Sequence, residues 1–241
     1  MVKKYSSPIS SPLYPKPPYH YKDAKVFLAL FYPPEGALEE LLPSPLRPSS
    51  LPLAGLMFGE MPCVETGTFM ESAVLAQCLF DDPDSGEEVG VHFSHNYVNT
   101  DVALASGREI WGYPRKIADI SLRLRGNTIT GQVKRDGQIL LKATCKLVDE
   151  GEWIDSGPNI NTKVIPSVTG DGYDIAVLNA AHLTYDTRNG RSGDVEIEIN
   201  NGLRDDFSKV KIETTMIGLY FDADILVPLG KEVGEIDLFS K

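Results

Sequence analysis

The chain has 241 residues and a formal net charge of −11 at pH 7, enough length for one generous core, and β-rich single domains often reach this size. The acidic balance argues against nucleic acid and against an anionic membrane surface, since phosphate binding needs clustered basic groups. No stretch approaches the roughly 20 apolar residues of a membrane helix.

The first residues, Met1 to Pro8, carry two lysines without an apolar run behind them and do not read as a signal peptide. The three cysteines, Cys63, Cys78 and Cys145, are odd in number, far apart and set in apolar sequence, so they read as buried free thiols in a reducing compartment, with cytoplasm as the expected location.

Five of the 17 prolines fall in residues 6–19. Such a run cannot enter a helix or a sheet interior, so residues 1–20 are expected to form an extended arm along the surface or against a neighbouring subunit, followed by one domain over 21–241. Lys25–Tyr32 has the length and apolarity of a strand. Glu35–Leu42 pairs Leu38 with Leu41 and Leu42 and stops at Pro43, which predicts a short helix. Leu53–Met61, Glu71–Phe80 and Val89–Val98 read as core strands, the last two separated by a polar loop at Asp81–Glu88. Thr100 can cap a helix that begins at Asp101 and ends at or just before Gly107.

Residues 120–125, 128–134 and 139–148 form a predicted meander, with Asp136-Gly137 as a type I′ hairpin turn. Asp194–Asn200 alternates so regularly that one face must be wet and the other buried. Ile212–Val227 supplies a further apolar strand. The expected fold class is α+β, predominantly antiparallel β, as a barrel or two packed sheets with two or three short helices.

Residues 107–118 read Gly-Arg-Glu-Ile-Trp-Gly-Tyr-Pro-Arg-Lys-Ile-Ala. This segment resembles the active-site signature of the acetoacetate decarboxylase family, in which an aromatic-Pro pair leads into two basic residues. The resemblance extends to the proline-rich start, to Leu42-Pro43-Ser44-Pro45-Leu46, to Phe69-Met70-Glu71-Ser72 and to Ala223–Pro228. It implies a β-barrel or packed-sheet fold, a small-molecule oxo acid or ketone as substrate, lyase chemistry without metal or other cofactor, and a homo-oligomer. By the same resemblance Glu71 is the carboxylate that faces the pocket.

In that family the first basic residue is the lysine that forms a Schiff base with the substrate ketone. Here the position is Arg115, and the lysine follows as Lys116. An arginine stays protonated and delocalised and cannot serve as the amine. On an extended backbone Arg115 and Lys116 point to opposite faces, although a one-residue bulge would turn Lys116 inward. Two readings therefore stand side by side. In one, Lys116 forms the Schiff base, Arg115 is a neighbouring cation and Glu71 shuttles protons. In the other, Arg115 stabilises an enolate or oxyanion without a covalent intermediate while Glu71 acts as base. A binding protein without catalysis is the third possibility.

Trp111, Tyr113 and Leu56 complete the expected substrate pocket. Leu56 falls where the family has a second pocket glutamate, and Ala24 where it has an arginine for the substrate carboxylate, which makes acetoacetate itself an unexpected substrate. His92 and His95 should face opposite sides of a strand and offer no zinc site. Thr169-Gly170-Asp171-Gly172 is a turn and not a nucleotide loop.

Overall fold

The computed structural model describes residues 5–236. In chain order its elements are β1 (Tyr19–Tyr32), β2 (Arg47–Pro48), β3 (Ala54–Cys63), β4 (Gly67–Asp82), β5 (Gly86–Val98), the helix α1 (Asp101–Ser106) continuing into a wider π-helical turn (Gly107–Trp111), β6 (Arg115–Ile117), β7 (Asp119–Arg125), β8 (Thr128–Arg135), β9 (Gln138–Lys146), β10 (Asp149–Glu150), β11 (Asn159–Pro166), β12 (Tyr173–Ala181), β13 (Thr184–Gly193), β14 (Val195–Ile199), β15 (Thr214–Val227) and β16 (Lys231–Glu235). A large sheet runs β10-β13-β15-β1-β3-β4-β5-β11-β12-β16, with β2 added on β4 and β6 on β5, and a small sheet runs β14-β9-β8-β7. Pairing is antiparallel except where β5 meets β11 and β6. The large sheet does not close on itself, so the fold is packed sheets and not a barrel.

The central strands of the large sheet are buried on both faces, which is why they read as nearly continuous apolar runs. One face, through Phe27, Phe31, Leu56, Phe58, Val74 and Phe80, packs on Ile129, Val133, Leu141 and Ala143 of the small sheet. The other face, through Val26, Met57, Met61, Phe69 and Ala73, gathers around Trp111 and Tyr113. Each buried Val, Leu, Ile, Phe or Met among them contributes roughly 1.5–3 kcal/mol by burial.

Several expectations are corrected. Glu35–Leu42 is a succession of turns, with the N–H groups of Leu41 and Leu42 bonded to the Leu38 carbonyl at 2.9 and 3.0 Å; Gly36 is left-handed, with a φ of 77°, and Pro43 ends the run, so this segment lacks the side-chain cap that Thr100 gives the equally short α1. The loop at Asp81–Glu88 shrinks to a tight turn because Asp82 Oδ1 accepts the N–H groups of Asp84 and Ser85. The α-helix does end at Ser106 with Gly107 as its cap, as expected, but Gly107, with a φ of −61°, is no left-handed stop: the chain runs on as a π-helical turn to Gly112, whose φ is 77°. A register shift between β4 and β5 beside Ser94 puts His92 and His95 on the same side of the sheet, where His92 Nδ1 meets the Ile160 carbonyl and His95 stacks on Phe207.

The proline-rich segment folds back on its own chain over the described residues. Ser6 Oγ donates to the Tyr14 carbonyl at 2.9 Å, and the Tyr14 hydroxyl donates to Glu109 in the π-helical turn. Among the described residues no helix is long and apolar enough to cross a membrane.

Candidate active site

Thr100 caps α1 by accepting the Ala103 N–H, and the wide turn after it swings the chain through Tyr113-Pro114 into β6. Because β6 is extended and parallel to β5, its register pairs Arg115 with Asn96 and Lys116 with Tyr97. Successive side chains of a strand point to opposite faces, so Arg115 and Asn96 turn to one side and Lys116 and Tyr97 to the other.

On the first side Arg115 is 4% exposed and Glu71, on β4, 5%. Arg115 Nη2 and Nε donate to Glu71 Oε1 at 2.7 and 3.1 Å, Nε also to Asn96 Oδ1 at 3.1 Å, and Nη1 to the Ala103 carbonyl at 2.7 Å. Asn96 Nδ2 donates to the same Glu71 Oε1 at 3.1 Å. The guanidinium lies 5.0 Å from the Tyr113 ring and 5.4 Å from that of Phe69, a cation–π sandwich worth about 1–2 kcal/mol per ring when desolvated. Gly107 is obligatory here, because a Cβ on it would lie 2.4 Å from Arg115 Cδ. The Gly107-to-Arg115 spacing of the sequence motif is thus a packing contact.

Burial works against the charge of Arg115, yet the Glu71 carboxylate, with Tyr21 and Tyr113, outweighs it and holds the arginine above its usual value. Arg115 is a permanent cation and not a latent amine. Glu71 spends one oxygen, Oε1, on Arg115 and Asn96; among the described residues Oε2 has no such partner, and both Glu71 and Arg115 line a cavity of about 120 Å³.

That cavity follows the face of the large sheet. Its charged end holds Glu71, Arg115, Tyr21 and Tyr113, its walls are chiefly Val26, Leu28, Met57, Leu75, Phe93 and Ile225, and Trp153, Ile154 and Ser156 of the segment 151–158 also line it. Trp153 lies against Tyr185, with ring centroids 4.3 Å apart, and meets Phe221 edge-on at 5.5 Å. The Tyr113 hydroxyl accepts from Asn159 Nδ2 at 2.7 Å, and burial pushes its pKa up to about 12, so it stays a phenol.

Of the sequence-predicted residues, Glu71, Arg115, Trp111 and Tyr113 are brought together at the cavity. Lys116 and Leu56 are not. Leu56 is fully buried on the opposite face of β3, in the core shared with the small sheet, because the pocket-facing parity of that strand belongs to Gly55, Met57 and Met61. Lys116 Nζ donates to Asp205 Oδ1 at 2.7 Å and to the Arg204 carbonyl at 3.0 Å. Asp205 is a buried hub that also accepts from Tyr97 Oη at 2.8 Å and from Arg135 Nη1 at 2.6 Å. No bulge turns Lys116 inward.

The three cysteines are buried and unpaired, and burial pushes the thiols up, that of Cys78 to about 12, which suits packing and not nucleophilic work. Among the described residues no group of His, Cys, Asp and Glu could hold a metal ion.

Asn96, Tyr21, Trp153 and Asp205 are the residues the sequence did not single out. Asn96, two residues before Val98 in an apolar strand, was the one signal available: a buried amide in a core strand must find partners.

Fold and site together define a decarboxylase-like scaffold whose pocket ends in a buried ion pair. A sequence profile of the acetoacetate decarboxylase family matches residues 6–235, and the chain belongs to that family. It is 25% identical over 242 residues to acetoacetate decarboxylase 3 of Mesorhizobium japonicum, covering 97% of this chain and 91% of that one. The structure is similar to that of an acetoacetate decarboxylase from Legionella pneumophila (TM-score 0.85, 24% identity, 97% of this chain and 95% of the other). It is similar also to the enduracididine biosynthesis enzyme MppR complexed with pyruvate (TM-score 0.84, 16% identity, 98% and 99% covered). At those identities the two structures speak to the fold alone.

Proposed function

We propose that this chain is an acid–base enzyme of the acetoacetate decarboxylase-like fold that acts on an oxo compound without a Schiff base. The observation that carries this reading is the fixed contact of Arg115 with Glu71 at the end of the cavity, with Lys116 directed to Asp205 on the other face. Where the family resemblance puts the reacting amine, a permanent cation with five N–H donors is held in place by packing. Such a group cannot add to a carbonyl, but it can hold a developing oxyanion in a dry site, where preorganised donors are worth most.

In the step that follows from this arrangement, a ketone oxygen is held by the Arg115 guanidinium with its α-carbon toward Glu71. The carboxylate takes the α-proton, the C–H electron pair becomes the new carbon–carbon π bond, and the carbonyl electrons move to oxygen beside Arg115. The enolate is the common intermediate of carbon–carbon lyase chemistry and of isomerisation. The protonated Glu71 then returns its proton to carbon.

The test is α-hydrogen exchange of enolisable ketones and oxo acids in deuterated water, followed by NMR, with a parallel borohydride trapping experiment. Exchange should fall about 1,000-fold in Glu71→Gln, the middle of the range for loss of a positioned base, and the trapped peptide containing Arg115 and Lys116 should keep its mass. A reduced adduct on Lys116 would overturn the non-covalent reading and restore the Schiff base.

A further inference from the structure

Arg115 keeps little of its donor capacity for a ligand. Nε is shared between Glu71 and Asn96, Nη1 gives a hydrogen to the Ala103 carbonyl and Nη2 gives one to Glu71. A single hydrogen therefore stays on each terminal nitrogen. A developing oxyanion is stabilised by donors already fixed in place around it, so a second donor beside Arg115 would matter.

The cavity is lined by three tyrosines, Tyr21, Tyr113 and Tyr185. The Tyr21 and Tyr185 hydroxyls have no hydrogen-bond partner among the described residues, so nothing fixes the direction of their O–H bonds. Tyr113 differs. It is 5% exposed, its ring meets Phe93 edge-on at 4.9 Å and lies 5.0 Å from the Arg115 guanidinium, and its oxygen accepts from Asn159 Nδ2 at 2.7 Å. Asn159 is itself held at the start of β11, opposite Val91 of β5. Two residues on, and so on the same side of β11, Asn161 is fully buried with an amide that has no partner among the described residues. Both asparagines favour the ionised phenol of Tyr113 against the effect of burial.

With its oxygen engaged as an acceptor, the Tyr113 hydroxyl has its hydrogen left over, and no described residue accepts it. A buried donor without a partner is costly, and a ligand oxygen in the cavity would relieve that cost. An O–H whose oxygen already accepts is polarised into a stronger donor, and the Arg115 charge beside the ring works in the same direction. Burial still keeps the group a phenol, so it donates a hydrogen bond without giving up its proton.

We propose that the Tyr113 hydroxyl is the second oxyanion donor of the site, holding the carbonyl oxygen of the ligand together with Arg115. Its hydrogen bond strengthens as the enolate charge develops on that oxygen, while the α-proton goes to Glu71 and no proton leaves Tyr113. Asn159 is a positioning residue that sets the direction of the hydroxyl. The proposal rests on Arg115 and Glu71 being the reacting end, but one arm of its test reads binding without turnover.

In that arm, full-length protein is saturated at pH 7 with carbonyl-labelled cyclopentanone, a compact ketone suited to a cavity of about 120 Å³, and the carbonyl stretch is read by infrared difference spectroscopy. The stretch should move to lower frequency on binding. Tyr113→Phe, which keeps the ring and its packing, should lose part of that shift. Asn159→Asp should lose it too, because the carboxylate accepts the hydroxyl hydrogen and turns it away from the ligand. In the second arm, α-hydrogen exchange of the same ketone, both variants should lower kcat about 100-fold, the loss expected for one oxyanion donor, with KM changed little.

A merely structural Tyr113 would move stability and leave the stretch alone. An unshifted carbonyl in the wild-type protein, or a shift and a kcat that Tyr113→Phe leaves as they were, would overturn the proposal. Failure of the enzymatic reading looks different: the stretch would depend on Tyr113 as described while the α-hydrogens of cyclopentanone failed to exchange in the wild-type protein.

Discussion

The two sides of β6 use the same kinds of residue for opposite ends. Arg115 faces a carboxylate that itself borders a cavity, so its ion pair is a surface for a ligand. Lys116 faces Asp205, which is closed in by Tyr97 and Arg135, so its ion pair is a staple. The staple joins β5, β6, the end of β8 and the 200–213 connection before β15. What separates the pairs is the space left beside them: on one face apolar side chains stop short of Glu71 and Arg115, and on the other the chain around Asp205 fills the volume with donors. Adjacent residues of like charge thus acquire a candidate catalytic role and a structural one from strand parity alone.

Removing the cation on the cavity side should have the largest effect on stability. Arg115→Met leaves Glu71 and Asn96 without their principal donor and should cost about 3–5 kcal/mol, as for any broken buried ion pair, read from urea unfolding at pH 7. A loss below about 1 kcal/mol would mean that water reaches Glu71 freely and that the two pairs do not differ as described.

The hub side should show itself next, in acid. Burial, only partly offset by the bond to the Ile160 carbonyl, lowers the His92 pKa to about 4 from an ordinary value of 6.5. The unfolded chain then binds a proton that the folded chain refuses, so stability is full above about pH 6.5 and falls as the pH drops toward 4, by up to about 3 kcal/mol. His92→Asn, which keeps a donor near Nδ1, should flatten unfolding free energy over that window. An unchanged slope would assign the acid sensitivity elsewhere.

Asp205→Asn should cost about 1–3 kcal/mol, since it withdraws a charged acceptor from Tyr97, Lys116 and Arg135 together. Burial opposes ionisation of Asp205, but the bonds from Lys116, Tyr97 and Arg135 prevail and hold it below the usual carboxylate value, so its contribution is present above that usual value and lost as pH falls through the folded one. The smallest effect is expected from Lys116→Met. The Lys116 side chain is 41% exposed, and a half-solvated pair is worth at most about 1 kcal/mol. Exchange activity should be untouched, and a loss of activity comparable with that of Glu71→Gln would place Lys116 in the reaction after all.

Much of the fold could be read directly. β3, β4, β5 and the meander β7–β9 announce themselves because apolar content and alternation coincide, and Asp136-Gly137 turns where a type I′ turn requires it, both residues having positive φ. β13, with the sequence Thr-Tyr-Asp-Thr-Arg-Asn-Gly-Arg-Ser-Gly, carried no such signal; it is a strand because β15 offers it a ladder of backbone partners. Glu35–Leu42 failed for the converse reason, since local spacing suggested a helix that no side chain caps between the left-handed Gly36 and Pro43.

By itself the sequence determined the chemistry that is available: the Gly107-to-Arg115 motif, the arginine where the family resemblance calls for a lysine, the surviving Glu71 and the family membership. Tertiary structure alone decided which of these meet. The parity of β3 took Leu56 away from the pocket, the register of β6 on β5 sent Lys116 to Asp205, and the 151–158 segment brought Trp153 into the cavity lining, which no motif foreshadowed. Residue type is local information, whereas the face on which a strand presents it depends on bulges and registers set by partners far away in the chain.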